Sequence, residues 1–352
     1  MGILITGALG QIGTALAQFL ADRYGIHNVI LTDLKPRVTN SSLGDFTYYP
    51  ADIREGRVIA EIIRTHSITV IYHLAAILSA AGERMPQKTW DVNINGLVTL
   101  LEIAREQGCS VFVPSSIGAF GPSTPRFNTP QVTVQRPVTM YGITKAAGEL
   151  LCDYYYHAYG VDTRGLRFPG LISSEAPPGG GTTDYAVEIY YAALKNNAYE
   201  CFLAPDTRLD MMYMPDALTA MVTLMEAPAT KLSCRNAYNV TAMNFTPKEQ
   251  ASAIQKFLPG FAMTYCIDPV KQAIADSWPD SLDDRAARAD WGWSPAYNLE
   301  TMTEDMLHSV SRKENTNDRY NGKKFDSRTQ HPETGGIIQG RENTYNSPEL
   351  SY

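Results

Sequence analysis

Ile3-Leu4-Ile5-Thr6-Gly7-Ala8-Leu9-Gly10-Gln11-Ile12-Gly13 is the stretch on which the fold turns. A short apolar run leads into glycines spaced G-x-x-G-x-x-G, and an apolar-spaced stretch follows to residue 24. Strand, tight turn and helix in that order give the glycines a purpose. They let the backbone turn sharply, while the helix start presents free N–H groups and the positive end of its dipole. A glycine triplet alone marks only a turn. Between a strand and a helix it suits the pyrophosphate of a dinucleotide.

Working outward, strand-like runs recur at residues 28–32, 69–73, 110–114 and 163–167. Helix-like stretches separate them at 56–65, 86–107 and 139–159, after the first at 11–24. Strands alternating with helices predict right-handed crossovers and a doubly wound parallel sheet with helices on both faces. Beyond Phe168 the pattern loosens. Helices are expected over 184–196 and 216–225, and a short strand over 237–240. The expected division is a nucleotide-binding domain over 1–170 and a smaller lobe over 171–311, with the chain free to cross back. Residues 312–352 are poor in aliphatic side chains and are expected to be a disordered tail.

The chain has 352 residues, a formal net charge of -7 and 44% hydrophobic residues. Its acidic balance gives no electrostatic reason to bind nucleic acid or an anionic membrane. The five cysteines are odd in number and lack C-x-x-C spacing, so neither a disulfide framework nor a metal site is expected. No stretch is apolar for long enough to span a bilayer, and the first strand begins almost at Met1. A reducing compartment is expected, either the cytoplasm or, if a transit peptide has been removed, the mitochondrial matrix.

Asp33 stands 20 residues beyond Gly13, at the expected end of the second strand. A carboxylate there accepts hydrogen bonds from the adenosine ribose and repels the additional phosphate of NADP, which favours NAD. Lys35 and Arg37 lie near enough to tolerate that phosphate, so the alternative stays open. Asp52 and Ile53 are expected near the adenine. Leu74, Ala75 and Ala76 follow the third of the main strands, where small residues let a dinucleotide lie against the backbone. His73 reads as a strand-end residue.

Tyr141-Gly142-Ile143-Thr144-Lys145 opens a helix and puts Tyr141 and Lys145 on one face. Ser116 leaves the sheet at its carboxyl edge. The trio suits oxidation of a secondary alcohol: a phenol takes the hydroxyl proton, an ammonium makes the phenol more acidic, and a hydroxyl holds the substrate oxygen. A free tyrosine has a pKa near ~10, and lowering it by ~2–3 units takes about 3–4 kcal/mol. One ammonium at ~4 Å supplies roughly 4 kcal/mol at an effective dielectric near ~20.

Together these motifs resemble an extended short-chain dehydrogenase/reductase. The resemblance implies a Rossmann-type domain with NAD, contacts from Tyr141, Lys145 and Phe168 to the cofactor, a C-terminal substrate-binding domain, and a homodimer through two long helices, here 86–107 and 139–159. Ile117-Gly118 stand where dehydratases of that superfamily carry Asp-Glu. Pro169-Gly170 stand where its epimerases carry a substrate-touching Asn. Pro177-Pro178-Gly179-Gly180-Gly181-Thr182-Thr183-Asp184-Tyr185-Ala186 is similar to the substrate loop of short-chain-type L-threonine 3-dehydrogenases. So are Ser277-Trp278-Pro279-Asp280-Ser281-Leu282-Asp283-Asp284 and Asp290-Trp291-Gly292. That resemblance covers roughly residues 1–310. It implies a pocket lined by Ser79, Ser116, Tyr141, Thr182, Thr183 and Asp184, with residues 179–181 as a hinge. Asp184 reads equally well as a charge at a helix start, and Asp280, Asp283 and Asp284 as braces of the domain junction. The competing readings are a dehydrogenase of another β-hydroxy amino acid or specialised metabolite, a nucleotide-sugar epimerase, and an NAD-sensing protein without turnover.

Overall fold

Ile3, Leu4 and Ile5 are fully buried, and a strand apolar on both faces belongs in the middle of a parallel sheet. The structure is a computed structural model that describes residues 1–36, 43–175 and 181–325; for residues 80 and 314–325 only the backbone is described. The strands are β1 (Gly2–Thr6), β2 (Val29–Asp33), β3 (Thr47–Pro50), β4 (Ile68–His73), β5 (Ser110–Ser116), β6 (Thr163–Phe168), β7 (Gly170–Ile172), β8 (Ala198–Cys201), β9 (Leu209–Tyr213), β10 (Tyr238–Asn239), β11 (Met243–Phe245) and β12 (Ala262–Tyr265). The helices are α1 (Gln11–Tyr24), α2 (Gly56–Thr65), α3 (Ser79–Arg84), α4 (Pro86–Trp90), α5 (Gly96–Gln107), α6 (Met140–Tyr159), α7 (Tyr185–Asn196), α8 (Met214–Glu226), α9 (Pro247–Phe257), α10 (Pro269–Asp276), α11 (Arg285–Trp291) and α12 (Leu299–Phe325).

The main sheet has the order β10-β6-β5-β4-β1-β2-β3, and all its neighbours pair in parallel. The order reverses between β1 and β4. Crossovers leave that point toward opposite faces and open a crevice at the carboxyl ends of the strands. One face is filled by α1 and α8, the other by α2, α5 and α6. A second core joins α7, α9 and the start of α12 to a three-stranded sheet of order β11-β9-β7. The described residues up to Val310 form one compact unit. Residues past 170 return to the first core: α8 packs on it, and β10 extends the sheet beside β6.

Residues 86–107 are helical throughout, as expected, with α4 and α5 flanking a π-turn over Asp91–Asn95. The widened turn carries Asn93 inward, where its side chain binds the backbone of Ile77 and the hydroxyl of Thr144. The strand near residue 238 pairs beside β6, where the chain crosses back to the main sheet. Of the tail expected over 312–352, residues 326–352 lie outside the described residues, and α12 runs on to Phe325. Met302, Met306 and Val310 anchor the start of α12 in the second core, and extending a formed helix costs far less than nucleating one. Among the described residues no helix is long and apolar enough to cross a membrane.

Candidate active site

Gly7 follows β1 with φ of 67°, in the left-handed region that suits glycine. A Cβ there would sit 2.6 Å from the backbone N of Ala75. The glycine turn and the Leu74-Ala75-Ala76 segment therefore touch, backbone to backbone, at the switch point. A Cβ on Gly13 would sit 2.5 Å from the Gly7 carbonyl oxygen. Gly10 caps α1, and Gln11 and Ile12 open it; N–H groups of a first turn have no acceptor within their own helix. Asp33 closes the cradle: its Oδ2 accepts the N–H of Leu9 at 3.0 Å, and its Oδ1 that of Lys35 at 3.2 Å. A backbone surface that only glycine allows, a helix start and a ribose-facing acid fit the diphosphate and adenosine of NAD.

Asp52 and Ile53 lie just past β3. Asp52 accepts the Arg54 guanidinium, which also reaches Asp91, and Arg54 holds the Asp52 carboxyl below its usual range. Ile53 is buried, with its Cγ2 2.8 Å from where a Cβ on Gly96 would sit. Phe168 pairs with Ser116 in register, and its ring packs toward Phe112 at 6.4 Å between centroids.

Thr139 caps α6 by accepting the N–H of Gly142 at 3.1 Å, which sets Tyr141 and Lys145 on the first turns. Across from them, Ser116 ends β5 and accepts the N–H of Gly118 at 3.1 Å. A Cβ on Gly118 would lie 3.2 Å from Cε1 of Tyr141 and 3.5 Å from Oγ of Ser116. Lys145 donates from Nζ to the Pro114 carbonyl at 2.7 Å and lies 5.5 Å from the Tyr141 ring centroid. Burial pushes the Tyr141 phenol up, and its hydrogen bond with Ser116 pulls it back down. Burial draws the Lys145 ammonium down to about 8. At the phenol burial comes first, and Lys145 Nζ is held by the Pro114 carbonyl. His73 is buried, hydrogen-bonds Thr6 Oγ1 through Nδ1 at 2.9 Å, and is driven down to about 3 by burial. It is neutral and serves as a strand-end residue.

On the substrate side, Ser79 opens α3, and Gly82 one turn later lies near Cβ of Tyr141. Thr182 is buried, and the Thr183 methyl sits 2.9 Å from where a Cβ on Gly170 would be. Asp184 turns back on its own loop, accepting the N–H of Gly181 at 2.6 Å. Residues 176–180, which hold most of the expected hinge, and Arg37 lie outside the described residues. Asp280 takes Arg126, 154 residues away, while Asp283 pairs with Arg285 and Asp284 with Arg288, both within their own segment. Reading by motif missed Gly118 and Asn93. It also missed Glu149, which lies one turn past Lys145 on the same helical face; extending the Tyr141-Lys145 spacing by four would have reached it.

A parallel sheet with this switch point, this glycine turn and a Ser-Tyr-Lys group at its edge defines an NAD-dependent α/β enzyme. Residues 3–241 match the NAD dependent epimerase/dehydratase family, and the chain belongs to it. An uncharacterized epimerase/dehydratase of Staphylococcus saprophyticus is 50% identical over 312 residues, 89% of this chain and 98% of the relative. The structure of L-threonine dehydrogenase from Clostridium difficile is 52% identical with a TM-score of 0.87, over 89% of this chain and 98% of that one. A monomeric L-threonine 3-dehydrogenase from a metagenome is 45% identical with a TM-score of 0.85, over 88% of this chain and 99% of that one.

Proposed function

We propose that the chain oxidises the C3 hydroxyl of L-threonine: L-threonine + NAD⁺ → L-2-amino-3-oxobutanoate + NADH + H⁺. The observation that carries this reading is that the likeness to L-threonine dehydrogenases runs through both cores, the lobe included, at about half identity. Bound NAD supplies the hydride acceptor and a positive charge beside the phenol. Tyr141 takes the hydroxyl proton, Ser116 fixes the substrate oxygen, and Lys145 supplies positive charge behind the ring and reaches the cofactor ribose. Gly7, Gly10, Gln11, Ile12, Gly13, Asp33, Leu74, Ala75 and Ala76 hold the dinucleotide. Thr182, Thr183 and Ser79 meet the amino acid, and Asp184 holds the loop that carries Thr182.

NADH formation by purified protein, screened over L-threonine, L-serine, 3-hydroxybutyrate and UDP-sugars, tests the reading. A signal with threonine supports it. A signal with another hydroxy acid alone moves the substrate, and stabilisation by a UDP-sugar alone favours an epimerase. For the partner we keep a second copy through α6, whose outer stripe exposes Ile143, Leu150 and Tyr154, with Leu150 67% exposed. Sedimentation of the protein and of Leu150→Glu decides it: a single-chain mass for both ends the dimer proposal.

A further inference from the structure

Behind Lys145 lies a small cavity of about 30 Å³, bordered among others by Lys145, Ser115, Glu149, Cys152, Asn93 and Asn236. Neither Tyr141 nor Ser116 borders it. It has room for water, and its wall is polar enough to keep one; Asn236 Oδ1, among the described residues, has no hydrogen-bond partner. Glu149 is the only carboxylate on that wall. It stands four residues after Lys145 and therefore on the same side of α6.

The Glu149 carboxylate is buried and fully engaged. Arg167 Nε donates to both its oxygens, at 3.0 and 3.1 Å, and Nη2 donates to Oε2 at 2.7 Å. Gln135 donates at 2.8 Å, and the Ser115 hydroxyl donates to Oε1. Arg167 in turn donates to the Gln131 carbonyl and to Asn239. A buried ion pair of this kind is weak evidence for stability, since desolvation offsets its attraction. Its position gives it another use. Pro114 supplies the acceptor for Lys145, Ser115 donates to Glu149, and Ser116 carries the hydroxyl beside Tyr141. Along a strand, successive side chains alternate, so tying Ser115 down on one face directs Ser116 to the other.

We propose that Glu149 is a positioning residue for the reaction: held by Arg167, Gln135 and Ser115, it keeps the Lys145 side chain charged and the end of β5 fixed beneath Tyr141. This rests on the dehydrogenase reading above. The groups facing Lys145 are Tyr141, Glu149 and Cys152 on α6 and His73 on β4, with Arg167 on β6 and Asp153 on α6 facing Glu149. Burial makes His73 a neutral imidazole and pushes Cys152 up to a neutral thiol. The opposition to the burial of Lys145 therefore comes first from Glu149.

The test reads the charge of Lys145 without turnover. Competitive acetylation by trace acetic anhydride across pH, followed by peptide mass spectrometry, gives the titration midpoint of Lys145 in the cofactor-free protein. In Glu149→Gln that midpoint should fall by about one unit or more, a roughly tenfold loss of charged lysine above it. Because Glu149→Gln leaves Arg167 without its counter-ion, the double variant E149Q/R167M removes both charges and gives the same reading in a neutral pair. A lowered midpoint in the double variant supports the proposal, and a wild-type midpoint there overturns it; the single variant, where the unpaired Arg167 itself opposes the ammonium, serves only for comparison. The high-pH limb of NAD reduction should move down with the lysine. If threonine gives no turnover at all, the acetylation midpoint still answers, so failure of the substrate reading is distinguishable from failure of this one.

Discussion

Asp33 accepts the backbone N–H of Leu9 at 3.0 Å, which makes the acid of β2 and the glycine turn after β1 a single construction. The carboxylate shapes the turn and, in the proposed cofactor site, faces the ribose. Asp33→Asn keeps an acceptor for Leu9 and removes the charge. Hydrogen bonds to a charged group contribute about 1.5–3 kcal/mol, so KM for NAD should rise ~10-fold or more while kcat changes by less than ~3-fold. Initial rates at varied NAD measure both. An unchanged KM would take Asp33 out of the cofactor site.

Gly118 lets the ring of Tyr141 and the hydroxyl of Ser116 close on each other, since a Cβ there would lie 3.2 Å from the ring. Gly118→Ala should displace the phenol by a few tenths of an ångström. Misplacement of that order costs about 10- to 100-fold in turnover. NAD affinity by calorimetry should be unchanged, because the turn that holds the diphosphate lies on β1. Equal losses in turnover and affinity would mean general damage.

What could be read ahead of the structure was whatever depends on local pattern. The turn from Gly7 to Gly13, the five main strands and the Tyr141-Lys145 spacing are all set by residues within one or two elements. What could not be read depends on residues far apart. The π-turn at Asn93 within the helix over 86–107 answers to Ile77 and Thr144, which receive its side chain. Tyr238–Asn239 joins the main sheet because the open edge of β6 accepts it. The glycine at 118 is ordinary in sequence and gains its meaning from a ring 23 positions later. The burial of the Tyr141 phenol was out of reach for the same reason: charge is visible in a sequence, but burial is not.

Tyr141 is raised by burial and acts as a base only when ionised. The rate of threonine oxidation should therefore increase with pH through the neutral range. Tyr141→Phe should abolish that dependence and lower kcat by ~10²- to 10⁴-fold, the usual worth of a positioned base. NAD binding should stay within a few-fold. A pH profile with the same rising limb in the variant would assign the limb, and the base, to another group.

Asp210 on β9 has no solvent exposure and accepts the Thr241 hydroxyl at 2.9 Å and the Leu282 N–H at 2.8 Å. Burial pushes its carboxyl up to about 7, against the pull of those hydrogen bonds. The folded value lies above the ~3.9 of an unfolded aspartate, so between the two the native state holds more protons. The stabilisation from this group is complete below the unfolded value and is lost as pH rises through about 7. Asp210→Asn cannot ionise, yet its amide oxygen still serves Leu282. Between pH 5.5 and 8 the wild type should lose about 1–2 kcal/mol more unfolding free energy than the variant. Urea midpoints at the two pH values measure the difference. Parallel losses would show that Asp210 is ionised throughout, and that Thr241 and Leu282 outweigh burial in setting its charge.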